Sequence, residues 1–161
     1  MSLIYGDRAG GALQMLAGQG IGVPCKPDYD VPAIPRDITG INDEDLMEMY
    51  SKFIAYADFL SVQVALSHVD ERNCEKRLAS LESRLLSFSE KTDRRVTVAK
   101  AIAAQDPAIL AQKDALEVAY AYRKLIDAMA ENIERDSSLV SRELTRRTSN
   151  KTPRRATNWS A

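Results

Sequence analysis

All seven glycines of this chain lie within its first 40 residues, as do four of its six prolines. Between Gly40 and Pro107 neither residue occurs, and neither occurs again until Pro153. Glycine and proline are the strongest interrupters of regular structure, so their distribution divides the chain. Residues 1–41 read as an extended, Gly/Pro-rich N-terminal arm, 42–148 as a helical body and 149–161 as a tail. Composition supports the body's assignment: 28% charged and 45% hydrophobic residues suit a folded chain, and only 6% are aromatic, which favours helix over sheet. A length of 161 residues suits one domain with a real core.

The body opens at a helix start, where Asn42 can cap and Asp43, Glu44 and Asp45 set negative charge against the positive end of the helix dipole. An apolar seam then repeats at alternating spacings of three and four: Leu46, Tyr50, Phe53, Ala57, Leu60, Val64, Ser67, Glu71, Cys74, Leu78, Leu81, Leu85 and Phe88. Such a repeat marks a coiled coil or a long bundle helix. A helix over 42–90 would run ~70 Å at ~1.5 Å per residue. The seam turns polar only at Ser67 and Glu71, which reads as a polar layer, a kink or a change of partner. A second helical stretch begins near Asp93, with Val96, Ala99, Ile102 and Ala103, and is interrupted at "QDPAIL". There Asp106 can cap and Pro107 suits the first helical position. Beyond it, Leu116, Ala119, Ile126, Ala130, Ile133, Val140 and Leu144 mark one apolar face. Ala115, Val118, Tyr122, Leu125 and Met129 mark a second, neighbouring one.

The expected fold is therefore all-α: antiparallel helices over about 42–90 and 94–148 in a long, coiled-coil-like hairpin, with no sheet. A helix apolar on two sides needs more than one neighbour, so the chain is expected to associate with copies of itself, a ring being one form open to it. The residues expected to carry that association are Leu46, Tyr50, Phe53, Leu60, Leu78, Leu81, Leu85, Ile126 and Ile133.

No catalytic constellation emerges. His68 is the one histidine; with Asp70 and Glu71 it makes a poor ligand set and reads as a helix-surface or polar-layer residue. Asp127, Glu131 and Glu134 share a helical face, but Arg123, Lys124 and Arg135 offer them ordinary pairing. "GQGIG" at 18–22 lacks the Gly-Lys-Ser/Thr ending of a phosphate loop and leads into "VPCKP" rather than a helix. Cys25 has no partner base, and Cys25 and Cys74 make no disulfide framework. The expectation is a protein that is not an enzyme, with no cofactor and no metal. No apolar run is long enough to span a membrane and the N-terminus lacks a signal-peptide pattern. The expected setting is the cytoplasm, of a host cell if phage-encoded, with a place in a virion as the alternative.

The closing segment 141–161, "SRELTRRTSNKTPRRATNWSA", holds six basic residues and one acidic one, whereas 1–140 holds sixteen basic and twenty-two acidic. Arg142, Arg146, Arg147, Lys151, Arg154 and Arg155 could neutralise phosphates, and Trp159 could stack on an unpaired base. Glu143 can pair with Arg147 on the helix. The bland alternatives are a solubilising tail or one docked on a sister subunit's acidic face. Residues 146–161 read as separable from the fold.

Two stretches carry a family resemblance. "EMYSKFIAYADFL" is similar to the opening "YSKW"-type helix of the UvsY family, the phage recombination mediators. "DPAILAQKDALEVAYAYRKLIDAMAENIERDSSLVSRELTRR" resembles that family's long second helix in length, apolar rhythm and a mid-helix aromatic, Tyr122. The resemblance spans roughly 46–147. It implies a ring of helical hairpins that binds single-stranded DNA and helps load a recombinase. The family's basic "LKAR"-type element is matched only by "EKRLASLESRLL", through Lys76, Arg77 and Arg84. Glu75 and Glu82 dilute it, which shifts the DNA contact to the tail. Two other readings stay open. One is a small terminase subunit working with a large terminase in DNA packaging, although its N-terminal helix-turn-helix is not visible. The other is a virion or adaptor protein in which "PDYDVPAIPRD" and the tail strap subunits together.

Overall fold

The computed structural model describes residues 7–90, 98, 101–102 and 104–151. Among these residues the chain is all-helical, without a strand. Three helices carry it: α1 (Asp7–Gly18), α2 (Asp43–Glu90) and α3 (Pro107–Lys151), with a 3-10 turn at Ile38–Gly40 ahead of α2. The two long helices, α2 and α3, pack against each other. The expected helical start near Asp93, with Val96, Ala99 and Ala103, lies outside the described residues.

Local chemistry sets the helix ends. The Asn42 side chain accepts from the Asp45 amide at 2.8 Å while its own amide donates to the Asp45 carboxylate at 2.7 Å. Two groups at the start of α2 are thus satisfied reciprocally. At α3 the Asp106 carboxylate accepts from the amides of Ala108 at 2.8 Å and Ile109 at 3.4 Å, and Pro107 takes the first position, where its missing N–H costs nothing.

The arm differs from expectation. It is not extended throughout, because residues 7–18 form α1. The run "ALQMLA" is built from strong helix formers, and these outweigh Gly10 and Gly11, whose helix penalty is ~1 kcal/mol each. The stop at its end is a Schellman motif: the amide of Ile21 bonds the Leu16 carbonyl at 3.0 Å and that of Gly20 bonds Ala17 at 3.0 Å. Gly20 sits in the left-handed region at φ 76°, where a side chain would be strained. "GQGIG" is a helix terminator.

Two compact units divide the described chain. In the first, formed by Met1–Val23 and Leu60–Met129, Leu60, Leu66, Ile109 and Ile126 are buried. The helices run antiparallel there. Arg123 reaches Glu71 across the pair, and the Gln112 side-chain amide donates to the Cys74 carbonyl at 3.2 Å. In the second, formed by Pro24–Phe59 and Ala130–Ala161, Leu46, Phe53, Tyr56, Ile133 and Val140 are buried. Tyr56 donates its hydroxyl to the Tyr29 carbonyl, and the two rings meet edge to face with centroids 5.7 Å apart. That contact ties the proline-rich stretch of the arm onto α2 of its own chain, and burial raises the Tyr56 phenol's pKa.

Every described seam position from Leu46 to Leu85 is buried or half-buried; the Phe88 side chain lies outside the described residues. The polar layer has a clear construction. Ser67 is buried and donates to the Val64 carbonyl at 2.7 Å, and Glu71 meets Arg123, which also reaches Asp127 at 3.1 Å. Phe53→Ala should cost ~3–5 kcal/mol of unfolding free energy, read from urea denaturation followed by circular dichroism. Leu85→Ala, at a half-buried seam position, should cost clearly less, and equal losses would contradict this placement of the core.

Candidate interaction surfaces

At the end of α3 the sequence places three arginines and one glutamate within six residues, and the structure assigns them different work. Glu143 is only 7% exposed. One of its oxygens accepts from Arg146 at 2.6 Å and Arg147 at 2.7 Å, and the other accepts from Arg146 at 2.7 Å. The Arg146 and then the Arg147 guanidinium hold its carboxyl down at about 2. Arg146 itself is 54% exposed, and Arg142 is exposed.

Arg147 behaves otherwise, with only 14% of its side chain exposed. Besides the Glu143 bond, its Nη1 donates to the Ile41 carbonyl at 2.7 Å and the Asp43 carboxylate at 2.9 Å. Its Nη2 donates to the carbonyls of Ile38 at 3.2 Å and Thr39 at 3.0 Å. A guanidinium has five N–H groups in a planar fork, and each has a partner here. The acceptors are presented by the 3-10 turn, which Asp37 caps by accepting from the Thr39 amide at 2.9 Å and its hydroxyl at 2.6 Å. Those two bonds hold the Asp37 carboxyl below its ordinary pKa.

This corrects two expectations. Arg147, expected on a nucleic-acid surface, has no donor left for a phosphate, because backbone carbonyls and two carboxylates occupy all of them. Residues 146–161 are consequently not separable from the fold, since Arg147 fastens α3 to the entry of α2. Of the other expected contacts, Arg154, Arg155 and Trp159 and the side chain of Lys151 lie outside the described residues.

The residues expected to join copies are also reassigned. Leu46, Phe53, Leu60, Ile126 and Ile133 are buried within a single chain, and Tyr50, Leu78, Leu81 and Leu85 are half-buried. The seam closes helix against helix inside the protein. By contrast, every member of the second face of α3 is exposed: Ala115, Val118, Tyr122, Leu125 and Met129. Val118 is 70% exposed and Leu125 66%. Ala111, four residues earlier, is exposed too and extends the stripe.

His68 is half exposed, with Nε2 3.9 Å from Asp127. Among the described residues no group of three or more His, Cys, Asp or Glu is placed to hold a metal ion, and no helix is long and apolar enough to cross a membrane. Lys124 and Arg123 both lie over the Tyr120 ring, at 5.8 and 5.3 Å from its centroid. No protein-family model, curated protein or solved structure matches this chain.

The Arg147 clamp makes two predictions. Arg147→Ala and Arg147→Lys should both lower the melting temperature, since an ammonium cannot reproduce the fork. Arg146→Ala, at a half-exposed side chain that bonds Glu143 alone, should lower it less, because Arg147 still pairs with that carboxylate. Thermal melts followed by circular dichroism separate these outcomes, and equal effects of the Arg146 and Arg147 variants would refute the division of work. The second prediction concerns acid. A carboxyl held at about 2 against an ordinary 4.5 contributes stability that is complete above about pH 4.5 and is lost as pH falls towards 2. Glu143→Gln should flatten that acid limb in melts taken from pH 7 to 2.

Proposed function

We propose that this chain is a non-enzymatic, self-associating helical protein of DNA transactions, which offers its basic C-terminal segments in several copies to single-stranded DNA. The recombination-mediator resemblance points the same way, with a recombinase as the protein partner. The observation that carries the reading is the charge boundary at Arg147. Up to that residue, Glu143 and Asp43 engage two of the three arginines, Arg146 and Arg147. Beyond it, 148–161 contains Lys151, Arg154 and Arg155 and no acidic residue. A short acid-free segment that carries an indole at Trp159 suits a single strand, because cations displace counterions from phosphates while a ring stacks on an unpaired base. Copies joined through α3 would raise the effective concentration of such weak segments.

One observation favours a second reading, the adaptor. Leu116 and Tyr120 line an open groove rimmed by Glu71, Glu75 and Glu117. Glu75 and Glu117 with the Leu116 and Tyr120 side chains would complement the basic, tryptophan-bearing tail of another copy, Glu71 being engaged by Arg123. In that case the tail holds an assembly together.

Deleting residues 149–161 keeps Arg147 and distinguishes the two. On the DNA reading, helicity and oligomer size persist while single-strand binding is lost. If the three tail cations each meet one phosphate, the log–log salt slope of the full chain should be about −2 per engaged tail. Trp159→Ala should weaken single-strand binding by ~1–3 kcal/mol per tail with little change in that slope. Loss of the oligomer with DNA binding intact would establish the adaptor instead.

A further inference from the structure

The exposed stripe on α3 has a definite geometry, and from it we infer that α3 pairs antiparallel with α3 of a second copy, centred between Tyr122 and Leu125. This inference rests on the self-association in the proposed function and specifies the surface that performs it.

Ala111, Ala115, Val118, Tyr122, Leu125 and Met129 follow one another at spacings of four, three, four, three and four. All six are exposed, so they form a seam with no partner among the described residues. Alternating spacings of this kind keep one face of a helix towards a neighbour. One flank of the seam belongs to the protein's own core, through half-buried Ala119 and buried Ile126. A second copy therefore approaches over the other flank, which carries Asp114, Ala121, Ala128 and Arg135 at intervals of seven, all exposed. The two alanines at its centre let two helices come close.

Charge decides the direction. In an antiparallel pair centred as stated, Tyr122 faces Leu125 of the second copy, Val118 faces Met129, and the small Ala115 and Ala111 face Asn132 and Asp136. On the flank, Ala121 then lies beside Ala128 of the second copy and Asp114 beside its Arg135, and the two-fold axis repeats each contact. Every dimer thus gains two opposite-charge pairs at the ends of its apolar seam. A parallel pair would set Asp114 alongside the core-facing Ala119 flank and give neither charge a partner. Opposed charges at the seam edges are the means by which paired helices select orientation.

Two single-cysteine proteins test the register, Ala115→Cys and Asn132→Cys, each made in the full chain with Cys25→Ser and Cys74→Ser. Under mild oxidation the mixture should yield a disulfide-linked dimer containing one of each, and neither protein alone should link to itself. Self-linked dimers from each protein alone would mean parallel pairing and overturn the inference. No linkage in a chain that sediments as an oligomer would overturn this register while leaving self-association standing. No linkage in a chain that sediments as a monomer would overturn both. A charge reversal gives an independent check. Asp114→Arg and Arg135→Asp should each weaken association by about tenfold, and the double variant should restore it. Failure of the double variant to recover would remove the charge argument.

Discussion

Among the described residues Arg147 stands apart: one guanidinium bonds three backbone carbonyls, the Asp43 carboxylate and the Glu143 carboxylate. The turn at Ile38–Gly40 has no fully buried side chain, so its position follows largely from where those carbonyls find donors. Unbonded, polar groups shielded from water are costly, and a planar fork is the one side chain able to serve several at fixed angles. Glu143 completes the arrangement by aligning the fork from the same helix, one turn earlier. Pairing between the 38–43 segment and the last turns of α3 depends on this one charge, and so does the meaning of the basic C-terminal region.

A second consequence concerns apolar area. The long seam of α2 is consumed within the chain, where Leu46 and Phe53 are wholly buried. Helix propensity alone cannot stabilise helices of this length in water, and packing must supply the difference. Once the seam is closed, the protein still shows water a row of large side chains on α3, from Val118 to Met129. Exposed apolar residues occur singly on most surfaces, and a contiguous row at helical spacing is the kind of surface that interfaces use. The seam makes the fold, and the row is what the fold leaves for the assembly we propose.

Much of this was legible in the residues. The absence of Gly and Pro between Gly40 and Pro107, and again up to Pro153, forecasts the long helices, Asn42 and Asp106 act as the caps their positions suggest, and of the two apolar faces of α3 one is buried or half-buried and the other exposed. Other features left little trace. The helix in the arm is masked in the sequence by Gly10 and Gly11, whose low helix propensity argues against it although the neighbouring Leu, Met and Ala residues suffice. Glu143 pairing with Arg147 follows from a spacing of four. The carbonyls of Ile38, Thr39 and Ile41 could not be foreseen, since any residue type supplies a carbonyl and these lie over a hundred positions away. The same holds for the Tyr29 carbonyl that Tyr56 meets. Polar contacts to backbone across long sequence separations are where a single chain's pattern is silent.

The most direct test is sedimentation equilibrium of the full chain beside a Leu125→Glu variant, at concentrations spanning the micromolar range. Leu125 is exposed in the single chain, so the substitution should leave helicity and melting largely intact while setting a charge at the centre of the proposed seam. A wild-type oligomer that becomes a helical monomer on substitution is the predicted result. A wild-type monomer throughout that range, or an oligomer indifferent to the charge, would contradict the assignment of the α3 face as the assembly surface.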